Sequence, residues 1–127
     1  MKAKETRQRF GLTESTIEQI TSVFEQYPDL EEAILYGSRA MGNYRKGSDI
    51  DLTLKGESLT YRQMVQMEVK IDDLLLPYLF DFSLLRHIED RGVVDHIERV
   101  GVTFYKRHLT APEKELASSQ SSTSRPL

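Results

Sequence analysis

The chain has 127 residues, 39% apolar and 29% charged, which suits one compact domain with a modest core and leaves no length for two catalytic-sized domains. Its 17 Lys and Arg against 20 Asp and Glu give a net charge of -3, so the broadly basic surface of a nucleic-acid-binding protein is lacking, although a local basic patch remains compatible. The absence of Cys excludes disulfides, thiolate zinc sites and cysteine nucleophiles. No apolar run approaches the ~18 residues of a membrane span, and the charged opening Met-Lys-Ala-Lys-Glu-Thr-Arg is not a signal peptide; a cytoplasmic location is expected.

Residues 1–12 read as an N-terminal extension, residues 13–107 as the folded domain and residues 108–127 as a disordered tail, Ser-, Thr- and Glu-rich from Thr110 onward. Thr13 has the character of a helix N-cap with Glu14 behind it, and Ile17, Ile20, Val23 and Phe24 recur at helical spacing, so a helix is predicted over 14–26, ending before Pro28 and Asp29. Ala33 to Tyr36 is a short apolar run stopped by Gly37-Ser38, a buried strand feeding a turn. Residues 39–42 are expected to form one helical turn, and Asn43 to Gly47 a polar loop. Asp49 to Leu54 alternates and reads as the second strand, with Asp49 and Asp51 on one face and Ile50, Leu52 and Leu54 on the other.

A helix over 60–75 follows, its apolar stripe being Met64, Met67, Ile71, Leu74 and Leu75, and Pro77 stops it. Leu79 to Leu85 is the third strand and carries Asp81. A last helix over 88–99 is built on Ile88, Val93, Val94 and Ile97, and Val102 to Tyr105 is a final short strand. The order implies an α/β (α+β) domain with a small mixed sheet flanked by helices. The connection between the first two strands is too short for a crossover helix, which makes them antiparallel.

Asp is a poor strand residue, and two on one face repel each other. A hard divalent cation would neutralise them. With Asp81 on another strand, three carboxylates are available to hold two magnesium ions, the arrangement that supports phosphoryl or nucleotidyl transfer. The turn supplies the complementary half. Gly37 permits close backbone approach to a phosphate, and Ser38 offers a hydroxyl and an amide. Arg39, Arg45 and Lys46 add positive charge, with Arg45 the better placed for a direct phosphate contact. Ser48, just before Asp49, is counted with Gly37, Ser38, Arg39 and Arg45 as nucleotide-binding. Tyr36, Tyr44 and Tyr61 are open as base-stacking rings, and His87, His96 and His108, scattered without metal-ligand spacing, read as surface or helix-end residues.

Gly37-Ser38, ten intervening residues and then Asp49-Ile50-Asp51-Leu52 resemble the signature of the DNA polymerase β nucleotidyltransferase superfamily. Asp81 in its apolar strand matches the place of that superfamily's third carboxylate, although its Phe80 and Phe82 neighbours are bulkier than the aliphatic residues expected there. The short length, the Gly-Ser-Arg-Ala-x-Gly wording and the Ile97 to Tyr105 segment resemble the minimal nucleotidyltransferases, the MNT proteins.

That resemblance implies a polymerase-β-like core in which Asp49 and Asp51 bind both metals. Asp81 binds the catalytic metal and helps deprotonate an acceptor hydroxyl, and Ser38 holds the nucleotide phosphates. It further implies Mg2+-dependent transfer of AMP from ATP to a hydroxyl of a partner protein, a HEPN-domain toxin silenced in a hetero-oligomer. The chain offers no acceptor domain, so the acceptor is expected in trans, with neither membrane nor nucleic acid as a direct partner. Two alternatives stay open: a non-catalytic antitoxin acting by complex formation, and a small-molecule nucleotidyltransferase of the aminoglycoside-modifying kind.

Overall fold

The computed structural model describes residues 8–107. Residues 1–7 and the expected disordered tail, His108 included, lie outside the described residues. The described chain opens with a two-residue hairpin, β1 (Gln8–Arg9) and β2 (Leu12–Thr13), turning through Phe10 and Gly11 at positive φ. Leu12 is fully buried in the core.

Thr13 caps the first helix, α1 (Glu14–Phe24), its hydroxyl oxygen accepting from the Thr16 amide at 3.1 Å. The face at 17, 20, 23 and 24 is buried as its spacing requires. Phe24 meets Phe82, Phe104 and Tyr105 at centroid distances of 6.5, 6.4 and 5.5 Å. One ring thus joins the helix to strands at both edges of the sheet.

The sheet has four strands in the order β5-β4-β3-β6. These are β3 (Glu32–Tyr36), β4 (Ile50–Lys55), β5 (Phe80–Leu84) and β6 (Val102–Lys106). β3 is antiparallel to both β4 and β6, whereas β5 runs parallel to β4. The mixed sheet and the antiparallel first pair agree with the expectation from connection length. A single helical turn, α2 (Ser38–Met41), links β3 to the loop before β4. α3 (Tyr61–Asp72) makes the crossover to β5, and α4 (Arg91–Val100) leads into β6.

α3 starts on a capping box between Thr60 and Gln63. Met64, Met67 and Ile71 are buried, but Leu75 is 88% exposed. The helix ends at Asp72, and Leu75 turns the chain with φ 58°, which takes it off the apolar stripe. α4 also starts later than its apolar pattern suggests. Residues 85–87 form a 3-10 turn, and Asp90 caps the helix by accepting from the Gly92 and Val93 amides. Ile88 therefore precedes α4, Val93 is exposed, and Ile97 alone is fully inside.

The two faces of the sheet differ in kind. Ile50, Leu52 and Leu54 join α1 and α3 in the main core. On the opposite face α4 approaches β3, where a Cβ built on Gly101 would press on Ile34 and where His96 meets the Tyr36 ring. α4 covers only part of that face, and the remainder carries the acidic residues. Among the described residues no helix is long and apolar enough to cross a membrane.

Candidate active site

At the end of β3 the chain turns through Gly37, with φ 78° and ψ -158°, a conformation essentially reserved for glycine. The position also has no room for a side chain: a Cβ built there would collide with the Asp51 carboxylate. The Gly37 carbonyl accepts from the amides of Ala40 and Met41, both at 3.1 Å, so α2 begins directly behind the glycine. Ser38 is its first residue. By helix geometry the amides of Ser38 and Arg39, ahead of those two, have no acceptor within the turn.

Asp51 stands at the centre. In the antiparallel ladder it faces Tyr36, and in the parallel ladder it faces Asp81. Residues in register share a face, so Tyr36, Asp51 and Asp81 form a row across three strands. One step further in, Thr53 and Ser83 form the next row. The Ser83 hydroxyl donates to Thr53 Oγ1 at 2.9 Å, making a polar floor beneath the acids. Thr53 is fully buried there. Asp49 lies immediately before β4 rather than within it, exposed at the mouth of the site, and Asp81 is also exposed.

Electrostatics bind the group together. Burial is the main cause lifting the Asp51 carboxyl above the ordinary carboxylate range; Asp81 and then Asp49 add repulsion, and His96 opposes them. Burial also raises the Tyr36 phenol; Ser83 works against this, while Asp81 and Asp51 add to it. Glu68 on α3 is raised by burial and then by Asp81, which brings a fourth carboxylate into electrical reach of the site.

Among the described residues no three acidic or histidine side chains form a ready-made metal cage. The donor chemistry nonetheless suits a hard cation. Asp51 and Asp81 are all-oxygen ligands in register, their repulsion is unrelieved by any lysine or arginine named above, and magnesium commonly takes one or two carboxylates and completes its shell with water and phosphate.

The structure gathers Gly37, Ser38, Asp49, Asp51 and Asp81 and reassigns two other residues. Arg39 is only 3% exposed. Its Nε donates to the Ser48 carbonyl at 3.0 Å and its Nη1 to the Phe10 carbonyl at 2.8 Å. Its guanidinium lies over the rings of Tyr44 and Tyr78, so its hydrogen-bonding and aromatic contacts are within the protein. Ser48 likewise closes its own loop: its Oγ accepts from the Arg45 amide at 2.8 Å, and its amide donates to the Arg45 carbonyl. Arg45 and Lys46 are exposed on that loop and rim a cavity of about 340 Å3 shared with Tyr44 and Tyr78.

Ser83, Thr53, Glu68 and His96 are the site's unanticipated members, and Tyr36, open in the sequence as a base-stacking ring, stands in the row beside Asp51. Period-2 alternation carried far enough reaches three of them, since Tyr36 ends the strand before the turn and Ser83 and Thr53 lie two positions beyond Asp81 and Asp51. Nothing in the local pattern brings Glu68 or His96 there.

A protein-family model described as polymerase beta, nucleotidyltransferase, matches residues 18–109. No curated protein matches the chain. Among solved structures, a toxin–antitoxin with AMP-PNP aligns at 20% identity with a TM-score of 0.58, over 82% of each chain. A tri-AMPylated Shewanella oneidensis HEPN toxin in complex with MNT antitoxin aligns at 18% identity and a TM-score of 0.54, covering 84% of this chain and 80% of that one. The toxin–antitoxin MntA-HepT aligns at 17% identity and a TM-score of 0.55, covering 85% and 82%. At such identities these likenesses speak for the fold.

Proposed function

The chain belongs to the polymerase beta nucleotidyltransferase family, and on that footing we propose that it transfers AMP from ATP to a hydroxyl group of a partner protein. The observation that carries the reading is the in-register pair Asp51 and Asp81, with Gly37 packed against the Asp51 carboxylate.

Asp49, Asp51 and Asp81 would hold magnesium, which when bound supplies positive charge to the attacking and leaving oxygens. The rest of the chemistry falls to the chain. The Gly37 turn lets the Asp51 carboxylate pack against the backbone, and Ser38 offers its hydroxyl and amide to the phosphate oxygens. Arg45 and Lys46 draw the triphosphate toward the loop. The acceptor oxygen attacks the α-phosphorus, the bond from that phosphorus to the bridging oxygen breaks, and pyrophosphate leaves. Asp81, exposed at the open side, receives the acceptor's proton. Thr53 and Ser83 keep the two strands in register beneath the acids.

The acceptor is assigned to a second molecule. The solved structures of similar fold include an MNT antitoxin with an AMPylated HEPN toxin, which makes a HEPN-domain toxin the partner we put first, with this chain as its antitoxin. The test is incubation with labelled ATP, Mg2+ and a HEPN-domain protein encoded beside it. Label is expected on the partner, dependent on the cation and lost in the Asp49→Ala, Asp51→Ala double variant. Full neutralisation of the partner by that double variant would overturn the enzymatic account in favour of inhibition by binding, and label appearing only on an aminoglycoside would overturn the choice of acceptor.

A further inference from the structure

Four contacts, from the N-terminal hairpin, the loop at 44–48 and the segment at Tyr78, converge on one buried guanidinium. Arg39 follows Ser38 directly. It holds the carbonyl of Ser48, the residue before Asp49, and the carbonyl of Phe10 in the N-terminal hairpin. Its Cζ lies 5.3 Å from the Tyr44 centroid and 5.1 Å from the Tyr78 centroid. Tyr44 belongs to the loop leading to Asp49, and Tyr78 to the segment leading to Asp81.

Neither Asp49 nor the loop before it is fixed by the sheet. β4 begins only at Ile50, and residues 43–47 are exposed. The loop is closed on itself by Ser48 and Arg45, which fixes its shape but not its position relative to the domain. Arg39 supplies that position. A planar, permanently charged fork that donates to two carbonyls and lies over two tyrosine rings cannot be replaced by lysine. The hairpin is part of the same device. Gly11 has φ 77°, and a Cβ there would stand 2.5 Å from Tyr44 Cε1 and 2.8 Å from Arg39 Nη1. The matched family region begins at residue 18, so this arm lies outside it.

We infer that Arg39 is a positioning residue for nucleotidyl transfer: locked to the N-terminal hairpin and to Tyr44 and Tyr78, it sets Ser38, Asp49 and Asp81 relative to one another without touching substrate. The inference rests on the reaction proposed above, and its test has a readout independent of it.

Amide hydrogen exchange on the full chain is compared for wild type, Arg39→Ala, Arg39→Lys and Gly11→Val. The last variant keeps the arginine and displaces the clamp from the hairpin side. Amides of residues 43–49 are expected to exchange about tenfold faster or more in all three variants, with those of β3 and β4 unchanged. In steady-state transfer, kcat falls by about 100-fold with KM for ATP unchanged, as for a small misplacement of reacting groups. Guanidinium ion at sub-denaturing concentration restores activity to Arg39→Ala, and Arg39→Lys gains nothing by its charge. Wild-type protection of residues 43–49 in the variants overturns the inference, as does a rise in KM with kcat intact, which marks a direct phosphate contact. If the wild-type chain transfers no nucleotide, the reading of the reaction fails while the exchange comparison still decides the clamp.

Discussion

Replacing Gly37 with alanine puts a methyl group where the Asp51 carboxylate lies. Two costs combine. The backbone at φ 78° and ψ -158° is a region that residues with a side chain avoid, at about 1–3 kcal/mol. The collision then forces Asp51, the turn, or both to move. Taking ~2 kcal/mol for the backbone alone, a domain of this size loses roughly 10 °C of melting temperature and stays folded. Activity suffers more, because an ångström of displacement in a reacting geometry costs about 100-fold.

Gly42 provides the control. It too has positive φ, 84°, but a Cβ there meets nothing within 4 Å. Gly42→Ala should cost ~1 kcal/mol of stability and leave transfer near the wild-type rate. The assay pairs thermal melts with labelled-AMP transfer for both variants. Equal activity losses at the two positions, or a fully active Gly37→Ala protein, would refute the claim that Gly37 exists to admit the Asp51 carboxylate.

Two further outcomes are expected. Asp51 has a raised folded-state pKa, so its ionisation opposes folding: the contribution is absent below the unfolded value of about 4 and grows as pH rises from there through the folded value. Asp51→Asn should therefore melt higher than wild type at neutral pH, the gap should close toward about pH 4, and transfer should be lost; a gap that widens on acidification would contradict the sign. In the core, Phe24→Ala removes a ring that touches Phe82, Phe104 and Tyr105. It should cost about 3–5 kcal/mol, read as a shift of the urea midpoint at unchanged slope, and a loss below ~1 kcal/mol would show that Phe24 does not span the core.

The stretch from Tyr36 to Leu54 was legible because its signals are local. Alternation assigned Asp51 and Leu52 to opposite faces, and a Gly-Ser pair can end a strand in few ways. The short connection was enough to make β3 and β4 antiparallel. Asp81 was found by its apolar neighbours, but its pairing with Asp51 depends on β5 lying parallel to β4, which no short-range pattern states.

The contacts of Arg39 were illegible for a similar reason. A loop arginine beside a phosphate-binding turn looks free until its partner appears, and that partner is the carbonyl of Phe10, 29 positions away. His96 has no distinguishing neighbours in sequence; it reaches Tyr36 because Ile97 and Gly101 pin α4 to β3. The misjudged helix ends, at Leu75 and Ile88, both fall where a local turn or an Asp cap overrode the apolar period.

The pairing of β4 with β5 also orders events during folding. Gly37 and Asp51 come together when β3 and β4 pair, across a connection of modest length. Asp81 arrives only after the chain has formed α3 and returned parallel to β4, a contact of longer range and slower closure. A one-residue slip on that return would turn Asp81 to the other face and present Phe80 or Phe82 in its place. A growing or misregistered chain thus carries the turn and one acid of the row while lacking the other. The acid row is therefore complete only once β5 has paired in register with β4.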